Sequence, residues 1–133
     1  FFDKCIDECK HNKGKLNLLD QRCSPTPVVD VARVLFAINN QLSCDATPWG
    51  IHQYCALQAT RRHTFVEGFL TEAARFDKAL AAVINDLEIS TQETSKTQLR
   101  NSVLDCQKIM ASFGIKQHSR VLFLKKLLSV KYV

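Results

Sequence analysis

Glycine and proline are scarce in this sequence, four and three among 133 residues, which excludes collagen-like repeats and flexible low-complexity linkers. Asn-Gly and Asp-Gly turns are missing, as are alternating β-branched and polar runs, so the signals of β-hairpins are absent. Apolar runs such as Val121-Leu122-Phe123-Leu124 fall far short of the roughly 18 to 20 residues a membrane span requires. Catalytic motifs are lacking too. There is no HExxH, no GxSxG, no phosphate-cradling glycine loop and no Cys-His nucleophile context. On these absences no catalytic residue, cofactor or metal centre is expected, and the chain reads as a non-enzyme.

What is present is cysteine. Six occur, spaced Cys5-x3-Cys9-x13-Cys23-x20-Cys44-x10-Cys55-x50-Cys106. An even number in a short chain favours disulfides in an oxidising compartment, and six cysteines permit 15 pairings among which sequence does not choose. Zinc competes through the ligand-like spacing of Cys5 and Cys9, but no second short pair supplies the other two tetrahedral ligands. Three bridges imply a secreted, extracellular protein, and since no hydrophobic leader precedes Phe1, that reading takes the numbering to start at the mature terminus.

Helix signals recur along the chain. Thr26-Pro27 and Thr47-Pro48 each place a capping hydroxyl before a proline suited to the first helical position, so helices are expected to start at both. Ser90 and Glu93 have capping-box spacing, and Gly114 stands where a left-handed C-terminal residue ends a helix. Residues 28–42 are apolar almost all round, which predicts a central helix with Asp30, Arg33 and Asn39 reaching water. Phe65, Phe69, Ala73, Leu80, Ile84 and Leu87 form one broad stripe, and Leu99, Val103, Cys106, Met110 and Phe113 a narrow seam. Residues 2–22 predict one or two short helices broken at Gly14, and Val121, Leu124, Leu127 and Leu128 a last amphipathic helix. Trp49, Ile51 and Tyr54 beside Cys55 read as a packed corner held by a bridge or as an exposed anchor, with the corner favoured. The expected fold is all-α: a single domain over 1–133, a disulfide-stapled bundle of five to seven antiparallel helices joined by short loops.

The net charge of +5 is unevenly placed. Residues 100–133 carry Arg100, Lys108, Lys116, Arg120, Lys125, Lys126 and Lys131 against Asp105 alone. Arg120, Lys125, Lys126 and Lys131, with Lys116, are therefore the expected partner-binding residues, acting as steering charges toward an extracellular protein or an anionic glycan. Nucleic acid is not expected, because no groove-reading motif accompanies the charge.

Two family resemblances follow from particular residues. Lys4-Cys5-Ile6-Asp7, the stretch Lys15 to Cys23 and Pro27-Val28-Val29-Asp30-Val31 resemble the start of interleukin-4-type short-chain helical cytokines, and Leu99 to Met110 is similar to their last helix. Cys5-x3-Cys9 near the start, the helix-rich body and the basic balance resemble the small cysteine-stapled, all-helical salivary proteins of blood-feeding insects. The second resemblance implies a secreted binding protein that modulates or inhibits a host factor of coagulation, complement or inflammation. The first implies a ligand for a cell-surface receptor. Eight phenylalanines leave a third alternative, a carrier of a small hydrophobic ligand.

Overall fold

The computed structural model describes residues 1–44, 48–93 and 99–119, together with Leu128. In chain order its elements are α1 (Phe2–His11), β1 (Lys15–Leu19), β2 (Arg22–Cys23), α2 (Val28–Leu42), β3 (Thr60–Arg61), α3 (Arg62–Ala73), α4 (Lys78–Ile84), β4 (Glu88–Gln92) and α5 (Gln107–Phe113). The architecture is α/β, not all-α. Strand β1 pairs in parallel with β4, Leu16 opposite Ile89, and β2 pairs antiparallel with β3. The hairpin signals absent from the sequence mark only neighbouring antiparallel strands; β1 and β4 are parallel and far apart in the chain, so no turn motif announces them. Among the described residues no helix is long and apolar enough to cross a membrane.

The expected disulfide staples are also overturned, since no disulfide joins any of the six cysteines. Cys55 and Cys106 face each other with their sulfurs 3.8 Å apart, well beyond the ~2.05 Å of a disulfide bond. Burial pushes the Cys5, Cys9 and Cys106 thiols up from their ordinary value, so they behave as small apolar core groups.

The chain forms two compact units. The first holds Phe1–Cys23, Thr60–Ser102 and Leu128. Its core comprises Ile6 and Cys9 of α1, Leu16 of β1, Val66, Phe69 and Leu70 of α3, Leu80 of α4, and Leu128. The Phe2 ring packs on Phe69 with centroids 4.4 Å apart. The break at Gly14 occurs as expected, at φ +87°, but a strand follows it and not a second helix. A Cβ at Gly14 would stand 2.8 Å from the Asp86 carbonyl oxygen and 2.9 Å from that of Val83, so only glycine lets α1 turn into β1 there. The broad stripe from Phe65 to Leu87 divides into two helices. Asp77 caps α4 by accepting the Leu80 N–H at 3.0 Å, and its other carboxylate oxygen takes the Lys10 ammonium at 2.6 Å. That hydrogen bond from Lys10, with the Leu80 N–H, holds the Asp77 carboxyl below the usual aspartate range.

The second unit holds Ser24–Ala59 and residues 103–119. Val34, Cys55, Cys106, Ile109, Phe113 and Ile115 form its core. Helix α2 starts after Pro27, yet the Thr26 hydroxyl does not cap it; that oxygen accepts the Ala56 N–H at 3.0 Å. No helix follows Pro48, and Trp49 and Ile51 are exposed, so the expected corner is absent. Ser90 lies inside β4, where its hydroxyl donates to the Leu16 carbonyl at 3.2 Å and caps nothing. The helix expected to run up to Gly114 is reduced to α5, whose end at Gly114 is left-handed as the sequence implies. Leu99 and Met110 of the expected seam are exposed.

Candidate functional site

Two segments, 54–58 and 115–119, organise the second unit. They bridge in parallel at Leu57 and Ser119, and the Leu57 N–H donates to the His118 carbonyl at 2.9 Å. Tyr54 and His118 enter one polar cluster, while Ala56, Gln58 and Gln117 line a cleft.

The polar cluster is centred on Asp30, which is 0% exposed. The Tyr54 hydroxyl donates to one carboxylate oxygen of Asp30 at 2.5 Å, and the Arg33 Nε–H to the other at 2.9 Å. The Arg33 Nη2 group also donates to the Tyr54 hydroxyl at 3.1 Å and to the Lys116 carbonyl at 3.3 Å. His118 places Nδ1 3.3 Å from Asp30, an ion pair whenever the imidazole is protonated. Burial, followed by the hydrogen bond to Asp30, pushes the Tyr54 phenol above the ordinary tyrosine range. Its proton is thus committed to Asp30, and the cluster is suited to fixing the backbone of 54–58 and 115–119 more than to passing a proton to a substrate. Asp30 and Arg33 were expected to reach water; instead Asp30 is fully buried and pairs with Arg33, which is half-buried.

The cleft encloses about 360 Å³, within the range of small-ligand sites. Its apolar surface comes from Val103, Leu104, Met110 and Ile115, and its polar groups from three amides, Gln58, Gln107 and Gln117, with Ser24 and Asp105. Among the described residues no lysine, arginine or histidine lines it. Several polar groups are already oriented. Gln117 Nε2 donates to the Cys55 carbonyl at 2.9 Å, Ser24 Oγ to the Ala56 carbonyl at 2.8 Å, and Asp105 accepts the Gln107 N–H at 2.9 Å. Amides and one carboxylate over an apolar floor can exchange hydrogen bonds with a neutral polyhydroxylated ring; they cannot neutralise a phosphate.

Of the residues expected to bind a partner, Lys116 is exposed, and Arg120, Lys125, Lys126 and Lys131 lie outside the described residues. Cys5 and Cys9 sit one turn apart in the first unit's core, Cys23 is half-buried on β2, and Cys44 is exposed beyond α2. Only Cys55 and Cys106 come together, and Cys106 also lines the cleft. Sequence reasoning passed over the glutamines because this residue type is common on any surface. The i, i+3 pair Asp30 and Arg33 carried a signal, since a lone acid and base within an apolar helix must be paired if buried.

No curated protein matches the chain. The family model of the RmlD substrate binding domain matches residues 2–131. This match overturns the resemblances to salivary proteins and to short-chain cytokines, and with them the reading as a secreted, non-enzymatic binding protein or carrier, because this family is one of enzymes. Matched along almost its whole length, the chain belongs to the RmlD substrate binding domain family.

Proposed function

We propose that this chain binds the sugar of a nucleotide-sugar substrate in the cleft of the second unit, as part of an enzyme of the dTDP-4-dehydrorhamnose reductase family. The observation that carries the reading is the lining of the cleft, three glutamine amides, Ser24 and Asp105 set over Val103, Leu104 and Ile115. Sugar rings present hydroxyls at their edges and apolar C–H faces, so this mixture complements them.

The family implies a nicotinamide dinucleotide. The residues present do not fit that group. Its phosphates require closely spaced glycines between a strand and a helix. Here Gly14, Gly50, Gly68 and Gly114 stand apart, and β1 leads into β2 without a helix. A Cβ on Gly14, the one position where it would collide with backbone, meets the chain's own carbonyls and not an open cradle. The contribution assigned to this chain is therefore substrate binding, and no hydride-transfer step is derived from it.

Saturation-transfer NMR with a dTDP-hexose, dTDP and the free hexose tests the reading. Strong transfer to the sugar protons of the dTDP-hexose is expected, weakened about 3- to 10-fold in affinity by Gln58→Ala or Asp105→Asn, the loss of one hydrogen bond each. Transfer confined to the thymine protons, or none at millimolar ligand, overturns it.

A further inference from the structure

Cys55 and Cys106 lie 51 residues apart in the chain, and both are buried in the second unit. Their sulfurs, 3.8 Å apart, are in van der Waals contact. Each sulfur is met by an N–H group. The Cys55 backbone N–H donates to the Cys106 sulfur at 3.2 Å, and Gln117 Nε2 to the Cys55 sulfur at 3.6 Å. Such donors favour a thiolate, the form that attacks a disulfide. Of the two cysteines, only Cys106 lines the cleft. One thiol of the pair can therefore meet a small reagent, and the other waits beside it.

We propose that Cys55 and Cys106 form a reversible redox switch in the wall of the cleft, taken from dithiol to disulfide by a low-molecular-weight disulfide such as oxidised glutathione. The Cys106 thiolate, reached through the cleft, attacks one sulfur of the small disulfide; a mixed disulfide forms and one small thiolate leaves. The neighbouring Cys55 thiol then loses its proton and attacks the Cys106 sulfur, expelling the second small thiolate. Two protein hydrogens end on two small thiols, and the electron pair given up by the protein reduces the small disulfide. Burial holds the Cys106 thiol above its ordinary value, so its thiolate is a minor species at neutral pH and oxidation quickens as pH rises. Bonding draws the sulfurs to ~2.05 Å and pulls on the cleft from two sides. Cys106 precedes α5, which carries Gln107 and Met110, and the Cys55 carbonyl holds the Gln117 amide. The cleft thus changes shape with redox state. This bond is no structural staple, because the second unit packs around the reduced pair. The switch acts on the cleft wall whatever ligand the cleft takes, and so stands apart from the sugar reading.

The test incubates the folded chain in glutathione buffers from fully reduced to fully oxidised, then quenches with acid, alkylates in denaturant and maps the peptides. The expected product has lost two hydrogens, with Cys55 and Cys106 joined in one linked peptide pair and both lost to alkylation, and dithiothreitol restores them. Met110, the single methionine of the chain, lines the cleft. Its methyl NMR signal is expected to shift on oxidation and to return on reduction. Cys55→Ser is expected to stop at the mixed disulfide on Cys106, and Cys106→Ser to leave Cys55 alkylatable at every ratio. Should either variant fail to fold, the native chain alone decides. Both thiols alkylatable at every ratio, a mixed disulfide that persists on Cys106, or a link formed only after unfolding in urea overturns the pairing. Modification of Cys55 in folded Cys106→Ser overturns entry through the cleft. A linked pair that leaves the Met110 methyl unmoved overturns the control of the cleft.

Discussion

The two units bury opposite things. The first packs the apolar sides of α1, α3 and α4 on one another and on β1, leaving its charges outside: Lys10 with Asp77, Arg61 with Asp20, and Arg75 with Glu72 pair at or near the surface. The second encloses a carboxylate with a tyrosine and an arginine while Val28, Leu35, Phe36, Trp49 and Ile51 stand in water. The first is thus stabilised mainly by apolar burial. The second gives up part of that contribution, and its shape rests on the hydrogen bonds around Asp30. The cleft lies in the unit with the second arrangement, where directional bonds hold two segments in register that side-chain packing alone would let slide.

Truncating a core ring should produce the largest effect. Phe69→Ala is expected to destabilise the first unit by about 3 to 5 kcal/mol in urea unfolding, as lost transfer energy plus a cavity. A change under about 1 kcal/mol would show that the apolar core is not what holds this unit. Asp30→Ala comes next, at about 3 kcal/mol, near the low end for a broken buried pair because Arg33 keeps some contact with water. A double-mutant cycle with Tyr54→Phe should show strong coupling, and additive losses would dissolve the contrast between the units.

Gly14→Ala is expected to cost about 2 kcal/mol through backbone strain and crowding against the Asp86 and Val83 carbonyls, measured as a lowered denaturation midpoint with an unchanged slope. The smallest effect concerns acid. Asp77 has a lowered pKa in the folded chain, so its contribution is complete above the ordinary aspartate value of about 3.9 and is lost as pH falls through the lower folded value. Asp77→Asn should therefore reduce stability at pH 7 by about 1 kcal/mol, the scale of one helix cap, and flatten the dependence between pH 5 and 2. An acid limb as steep as in the native chain would remove Asp77 from its cause.

Much of the helical content is legible because it is local. The start of α2 after Pro27, the break at Gly14 and the left-handed end at Gly114 follow from the conformational limits of proline and glycine and need no neighbour to explain them. The β1–β4 pair is not local. Ser90 of β4 and Glu93 just beyond it stand at capping spacing, and only the partner strand decides that Ser90 bonds across to Leu16 instead of capping a helix. The cleft was hidden for a similar reason. Gln58, Gln107 and Gln117 are separate in sequence and meet only after the chain has folded.

The cysteines show the limit most plainly. Their number suggested covalent staples, but whether a thiol is bridged depends on a partner sulfur at bonding distance, which no spacing along the chain specifies. By itself the amino-acid order determined that α2 begins after Pro27, that the chain breaks at Gly14 and that α5 ends at Gly114, since those limits are set by the dihedral preferences of single residues. The tertiary structure decided which face of α2 turns inward, which strands pair and where the cleft forms, because each depends on groups brought together from distant parts of the chain.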